Sequence, residues 1–503
     1  MAINSHIIAK NIIFMYIRYI LILIVNFYVS RIVLDKLGVN DFGLYNVVFS
    51  VIGVLTFVTG TLSSCTSRFI SFALGKNNRD EMETTFKTSL ATHLVLCLII
   101  IVIGETIGLW YIMNILVVPE DRYFAVMVVY QISILLTVIS VAQVPFTAVI
   151  MAHEHLDAYA YIGIFDAFAR LVSAYLLSLG HFDNLIFYAI LLLLVVLTVF
   201  CLYLGYCLHK YPEVNLSYGY ENKILISMLK FSGWNILTNF SQTIMIQGVI
   251  MLFNLFFSPV VAAAQAISNQ ISSGIWSLAA NVQSAVNPQI IKLYADNKHD
   301  ESKWLTYTMA EMLFYLMMVF CIPCIVITPF LLHLWLVEVP EYTVLFVRLI
   351  MIQLIFESFN NSFYTPLLAA NRISANSCIS LILCIFQFIV LYCLFHNGYD
   401  PVWARYFGIL LTFLGGCVVK PLILSKWCGY DLTKIFRCLS KCLFCLACTI
   451  LPIWYLYSIL LHSSIIDNLI LFCLSLFIVV CCVLPFLGKK NLCRIHHFIT
   501  LKK

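Results

Sequence analysis

The chain is a succession of apolar stretches separated by short polar connections. A transmembrane helix needs about 20 mostly apolar residues, and fourteen stretches approach that length. Their apolar runs are continuous rather than alternating, which predicts helices and not the strands of a barrel. The predicted spans are 11–34, 42–66, 88–112, 123–151, 159–180, 184–208, 231–257, 260–286, 304–332, 342–368, 375–396, 402–424, 440–461 and 465–487.

Composition supports an all-α, polytopic integral membrane protein. Hydrophobic residues make up 62% of the chain and charged residues 11%, whereas globular domains are about 25% charged. The first apolar run has no small-residue cleavage pattern after it, so we expect it to be an uncleaved anchor. The 19 cysteines are scattered through the spans and predict neither a disulfide framework nor a metal site. We expect no cofactor, no metal and no nucleic-acid partner.

The cations predict an orientation. Most of the 29 Lys and Arg residues lie in the N-terminus, in the loops after even-numbered spans and in the C-terminal tail. Lys420 is assigned to this side, and Arg31, Lys36, Arg122 and Arg405 are assigned to the opposite side. Because cytoplasmic loops carry the excess of cations, both termini are predicted to be cytoplasmic, in the inner (plasma) membrane.

An internal repeat divides the chain. The segment FISFALGKNNRDE at 69–81 is similar to QIIKLYADNKHDE at 289–301, and both connect a span that leaves the membrane to one that re-enters. Six spans per half give both halves the same orientation, as in parallel repeats, and predict a cleft for alternating access between them. We therefore expect two pseudo-symmetric six-helix lobes and two extra C-terminal helices, with boundaries at 1–220, 221–434 and 435–503.

Three spans carry polar residues at helical spacing. Gln265, Asn269 and Trp276 lie on one face of the eighth span, Asn239 is on the seventh and Asn360 is on the tenth. Such residues can simply hydrogen-bond between packed helices, but their density favours a hydrated lumen. Amides offer donors and acceptors to hydroxyl-rich ligands, and aromatic rings stack on sugars.

Charged residues within the spans are a second candidate group. Arg18 lies about two turns into the first span, where a charge is costly unless it reaches the near interface or faces a polar interior. Asp166 and Arg170 are one turn apart and are predicted to pair. Glu357 is expected to have no same-helix partner three or four residues away and, with Asp166, is a candidate for ion coupling; Arg348 lies on the same span. An unpaired arginine favours a phosphate-bearing ligand.

Three segments resemble a known family. They are LGVNDFGLYNVV (37–48), SRFISFALGKNN (67–78) and PFTAVIMAHEHLDAYAYI (145–162). The chain resembles the polysaccharide (Wzx-type) lipid-linked oligosaccharide flippases of the multidrug/oligosaccharidyl-lipid/polysaccharide (MOP) superfamily, which have about fourteen spans. The resemblance implies alternating access and a diphosphate contact for Arg18. By analogy, the resemblance extends that contact to Arg170 and Arg348.

The sequence thus predicts a transporter, not an enzyme. It would flip a lipid-diphosphate-linked oligosaccharide for capsule, O-antigen or lipopolysaccharide synthesis, with membrane lipids, a glycan polymerase and glycosyltransferases as partners. One alternative is a multidrug or small-molecule antiporter of the same superfamily. A membrane polymerase or glycosyltransferase would need an acidic motif or a large external loop, whereas acids such as Asp41 and Asp183 look dispersed. A scaffold or scramblase would not need the asymmetric charge placement.

Overall fold

A computed structural model describes most of the chain. The described residues are 5–75, 79–153, 155–179, 183–217, 219–370, 372–459 and 464–487, with side chains of the first helix from Tyr19 onward. Helices form almost all of these ranges, and no strand occurs in them. This agrees with continuous apolar runs, since a helix satisfies its own backbone hydrogen bonds inside a membrane.

The helices follow one another with short connections. They are α1 (Ser5–Gly53), α2 (Phe57–Gly75), α3 (Arg79–Ile103), α4 (Leu109–Asn114), α5 (Tyr123–Ala152), α6 (Leu156–Leu176), α7 (Asn184–Lys210), α8 (Asn222–Phe256), α9 (Pro259–Ala295), α10 (His299–Val326), α11 (Thr328–Trp335), α12 (Thr343–Ser362), α13 (Tyr364–Ala369), α14 (Ile373–His396), α15 (Trp403–Leu414), α16 (Lys420–Cys428), α17 (Leu432–Ile459) and α18 (Ile465–Leu487). Turns of π-helix join α3 to α4 (Gly104–Gly108) and α15 to α16 (Gly415–Val419).

Ten segments within the described ranges are long and apolar enough to cross a membrane. They coincide with ten of the fourteen predicted spans. The described residues of the other four predicted spans, 11–34, 42–66, 159–180 and 260–286, are helical as well. They lie in α1, in α1 and α2, in α6 and the 3-10 turn after it, and in α9. The prediction of an all-α, polytopic membrane protein is confirmed.

The first compact unit comprises Met1–Ala263 and Trp335–Pro340. Its core contains Phe86, Phe146 and Tyr203, contributed by α3, α5 and α7. The rings of Phe86 and Phe146 meet edge to face with centroids 5.7 Å apart, a favourable aromatic geometry. Helix α8 packs on α1 and α2 and belongs to this unit.

Two glycines in the LGVNDFG segment shape α1. At Gly38 the backbone has φ +75°, which breaks the long helix into the predicted first and second spans. At Gly43 a Cβ atom would lie 2.0 Å from the carbonyl oxygen of Pro259 at the start of α9. Only glycine lets the two backbones approach so closely.

The second compact unit comprises Ala264–Leu334 and Glu341–Lys503. In its core the ring of Phe359 stacks on Phe314 and on Phe363. The ring centroids are 4.7 Å and 6.2 Å apart, respectively. Helices α17 and α18 pack on each other and on α10, and Lys441 Nζ bonds Glu311 Oε2 at 2.5 Å. The two extra C-terminal helices are thus part of this unit. The predicted lobe boundaries, which follow the sequence repeat, stay a prediction.

Candidate functional site

Polar and charged side chains lie inside the second unit where α12 faces the segment 403–428, hereafter the α12–α16 interface. Gln353 Nε2 of α12 donates to Thr412 Oγ1 of α15 at 3.1 Å. One end of the interface holds Arg405, whose guanidinium lies 5.6 Å from the ring centroid of Phe346. Residues seven apart lie on the same face of a helix. Phe346 and Gln353 therefore share the face of α12 that is directed at Arg405 and Thr412 of α15.

Lys420 occupies the other end of this interface. Its Nζ donates to the backbone oxygen of Asn360 at 2.6 Å and lies 5.8 Å from the ring centroid of Tyr364. Neither partner carries a negative charge. The lysine is half-buried, so its ammonium lies inside the bundle instead of on a loop.

The π-helical turn explains how Lys420 reaches this position. Gly415 and Gly416 begin the turn, and a Cβ atom on Gly416 would lie 3.1 Å from the backbone nitrogen of Asn360. Because glycine has no side chain, α12 can pack directly against the backbone of the π-helical turn. Because the turn inserts an extra residue, Lys420 follows Thr412 by eight residues instead of seven.

Glu357 has two neutral partners on its own helix. Asn361 Nδ2 donates to one carboxylate oxygen at 2.8 Å, and Asn360 Nδ2 donates to the other at 3.2 Å. The sequence expectation of a carboxylate without a same-helix partner is therefore wrong, because amides three and four residues on supply donors. Lys420 also attracts Glu357 electrostatically from the facing helix.

Arg405 has a more enclosed environment. It is 7% exposed, and its Nη2 donates to Ser268 Oγ at 2.5 Å and to Asn269 Oδ1 at 3.4 Å. Gln265 Nε2 also donates to Asn269 Oδ1, at 3.2 Å. Among the described residues no carboxylate forms an ion pair with Arg405. Two of the predicted amides, Gln265 and Asn269, thus meet an arginine that the sequence analysis did not select.

Arg405 and Lys420 both lie within Trp403–Cys428, a segment long and apolar enough to cross a membrane. Their predicted assignment to opposite sides of the membrane stays a prediction. The available signal was that each cation interrupts the run WARYFGILLTFLGGCVVK.

The first unit holds the predicted pair on α6. Arg170 Nε donates to Asp166 Oδ1 at 2.9 Å, which confirms the pairing predicted from the spacing. Arg170 also acts electrostatically on Tyr45 and Tyr188, whose rings lie 5.4 Å apart. An arginine within electrostatic range of two aromatic rings is a combination that suits a sugar.

The remaining predicted residues lie apart from these groups or are not described. Arg348 Nε donates to the backbone oxygen of Ile325 at 3.1 Å, so it satisfies a carbonyl in the last turn of α10. Trp276 on α9 and Asn239 on α8 are half-buried. The side chain of Arg18 lies outside the described residues, so its diphosphate role stays a prediction.

A cluster of three charges that the sequence analysis regarded as dispersed lies at one end of the first unit. Arg122 Nε donates to Asp41 Oδ1 at 2.9 Å and Nη1 donates to Asp183 Oδ2 at 2.6 Å. Asp183 also accepts from the amides of Leu185 and Ile186 and caps α7. These residues are far apart in sequence, so only the folded chain brings them together.

The fold and these charged interiors define a multi-pass α-helical membrane protein with ionisable groups inside its helix bundles. Residues 12–176 match the sequence profile of the MatE family. No curated protein matches the chain in sequence.

Solved structures identify the fold. The chain is similar to an inward-facing multidrug resistance MATE family transporter of the MOP superfamily, with 15% identity, 82% of this chain and 95% of that chain covered, and a TM-score of 0.62. It is similar to an outward-facing multidrug resistance MATE family transporter, with 13% identity, coverages of 84% and 97%, and a TM-score of 0.60.

A third similar structure is a MOP superfamily transporter from Pyrococcus furiosus whose binding pocket has reverse polarity, suggesting a different function. It shares 13% identity, with coverages of 83% and 96% and a TM-score of 0.55. The chain therefore has the MATE fold.

Proposed function

We propose that the protein is a transporter that moves a lipid-diphosphate-linked oligosaccharide from the cytoplasmic to the outer leaflet by alternating access. The observation that carries the proposal is Lys420, an ammonium inside a membrane-spanning segment whose bonded oxygen is a backbone carbonyl. Buried charges are costly unless they are paired. A lysine in this setting is suited to a ligand that brings its own negative charge.

The chemistry of Lys420 fits a phosphate group. An ammonium has three donors, and one of them is occupied by the oxygen of Asn360. The other two remain for anionic oxygens, and the Tyr364 ring stabilises the cation without neutralising it. Glu357 lowers the net charge near the site and would limit how tightly a dianionic head is held, which release requires.

The neighbouring groups fit the glycan. Gln353 and Asn360 are seven residues apart on one face of α12, and Asn361 follows Asn360; amides match sugar hydroxyls. In the first unit, Arg170 acts electrostatically on Tyr45 and Tyr188. We include Arg18, Arg170, Arg348 and the amides of the eighth span in the proposed substrate path on the sequence evidence alone.

The test is a flipping assay with purified full-length protein in proteoliposomes. A fluorescent polyprenyl-diphosphate sugar is placed in the membrane, and its arrival in the opposite leaflet is measured with a membrane-impermeant quencher. We expect Lys420→Gln to reduce the initial rate at least tenfold and Lys420→Arg to retain much of it, because charge is the property required. An unchanged rate for Lys420→Gln would refute the role of Lys420.

The matched control is Lys426→Gln. Lys426 lies on the same helix, α16, but is exposed, so its loss should leave the flipping rate unchanged. Folding of each variant is checked by gel filtration and thermal unfolding. A well-folded wild-type protein that shows no flipping at all would overturn the proposed substrate.

A multidrug antiporter is the second candidate, and the named structural relatives favour it, since two are multidrug resistance transporters. It predicts proton- or sodium-driven efflux of cationic drugs that depends on Glu357 or Asp166. The same proteoliposomes can be loaded with a fluorescent organic cation. Efflux of the cation with no flipping of the lipid would select this alternative.

A further inference from the structure

Arg405 presents a charge that the proposed substrate does not explain. It is 7% exposed and lies against Ser268, which is fully buried, and Gln265, which is 3% exposed. A bulky lipid-linked head group does not reach so enclosed a guanidinium in this conformation. The nearest acid in sequence, Asp400, instead accepts from Val402 N at 2.8 Å and from the Tyr342 hydroxyl at 3.2 Å.

The hydrogen bonds around Arg405 leave donors unused. Because Arg405 and Gln265 both donate to Asn269 Oδ1, the amide of Asn269 is fixed with its nitrogen directed elsewhere. Among the described residues, Asn269 Nδ2 and Arg405 Nε are buried without a hydrogen-bond partner, as is the neutral acceptor Gln265 Oε1. An unsatisfied buried N–H normally costs about 1–3 kcal/mol. Two such donors on adjacent side chains, one of them charged, indicate a missing acceptor.

The missing acceptor carries a negative charge. A water molecule would satisfy the donors but would leave a net positive charge buried between neutral partners. A metal cation is repelled by the guanidinium. One uncompensated charge requires one negative charge, and because the cost of desolvating an ion grows with the square of its charge, a dianion is disfavoured in this enclosure.

We propose that the second unit binds a small monovalent inorganic anion, of the chloride class, at Arg405 Nε and Asn269 Nδ2. The anion neutralises the guanidinium where α9, α12 and α15 meet and so stabilises the unit. This site is distinct from the proposed diphosphate contact at Lys420, and its occupancy does not depend on which substrate the protein transports.

The first experiment measures thermal unfolding of the purified full-length protein in a gluconate buffer as sodium chloride replaces sodium gluconate at constant ionic strength. We expect a saturable rise in the unfolding temperature with chloride and bromide, and binding of radiolabelled chloride with the same dependence. Arg405→Gln should abolish both. A wild-type protein whose stability is the same in gluconate and chloride would overturn the proposal.

A second variant keeps the test decisive if Arg405→Gln does not fold. Asn269→Asp places a carboxylate against Arg405 at the position of the amide oxygen, which supplies the negative charge from within the chain. We expect this variant to be as stable in gluconate as the wild type is in chloride, and to lose the chloride response. An Asn269→Asp protein that still requires chloride would contradict the assignment.

A control variant and parallel titrations distinguish a monovalent inorganic anion from a phosphate group or a phospholipid. Arg348→Gln is the matched control, because Arg348 is also an arginine in a span of this unit but bonds a backbone carbonyl; it should keep the chloride response. Phosphate and anionic phospholipid replace chloride in parallel titrations. A larger or tighter response to either would overturn the monovalent-anion assignment and would point to a phosphate group.

Discussion

Replacing Arg122 by methionine tests whether the three-charge cluster of the first unit is structural. Arg122 joins Asp41 of α1 to Asp183, the residue that caps α7. Methionine removes the guanidinium but keeps an unbranched apolar chain of similar length. The two carboxylates that converge on Arg122 are then left facing each other without a cation.

The magnitude follows from the geometry and the partial burial. Arg122 contacts Asp41 through two nitrogens and Asp183 through a third, and the side chains are 25%, 15% and 29% exposed. Exposed pairs contribute about 0–1 kcal/mol, whereas removing one partner of a fully buried pair costs about 3–5 kcal/mol. We expect a loss of about 2–3 kcal/mol for this half-buried network.

The unfolding can be followed with a thiol-reactive dye, because the first unit contains buried cysteine thiols at Cys65 and Cys207. Arg122→Met should unfold at lower temperature or lower denaturant concentration than the wild type. Adding Asp183→Asn to Arg122→Met should recover part of the loss, because asparagine removes one of the repelling charges and still caps a helix well. A stability loss below about 0.5 kcal/mol, the usual range for surface substitutions, would refute the reasoning.

Two further predictions concern backbone contact and ion coupling. Gly43→Ala should destabilise the protein by about 3 kcal/mol or prevent folding. Overpacking that can relax costs about 1–3 kcal/mol, and here the obstacle is the Pro259 backbone. Gly205→Ala, at a position with nothing within 4 Å, should fold normally. Thermal unfolding decides between them, and a Gly43→Ala protein as stable as Gly205→Ala would contradict the close approach. Glu357→Gln should remove the proton or sodium dependence of transport, because the neutral amide can neither bind a proton nor attract Lys420. Transport rates measured across pH and sodium concentration test this, and an unchanged ion dependence would reduce Glu357 to a structural partner of Asn360 and Asn361.

The fold was accessible from the sequence because membrane helices are specified locally. Twenty consecutive apolar residues can satisfy their backbone inside a bilayer only as a helix, so each span could be read without knowledge of its neighbours. The pair Asp166–Arg170 was predictable for the same reason, because both residues lie on one helix at a fixed spacing.

The candidate site was less accessible because its contacts join distant parts of the chain. Arg405 meets Ser268 and Asn269 across 137 and 136 residues, and nothing in a single sequence reveals which face of α15 is directed at α9. Lys420 could not be selected as a site residue for a different reason. A periodicity of 3.6 residues places it one position away from the face it occupies, because the wide turn before it shifts the register.

The wide turn at Gly415–Val419 absorbs one extra residue without changing the face that the following helix presents. Deleting one residue there would restore an ordinary helix in which the lysine follows Thr412 by seven residues, so its ammonium would still reach the Asn360 carbonyl. Replacing the turn by ordinary helix at unchanged chain length would instead rotate everything that follows by about 100° about the helix axis. Lys420 would then turn away from the Asn360 carbonyl although its sequence neighbours remained the same.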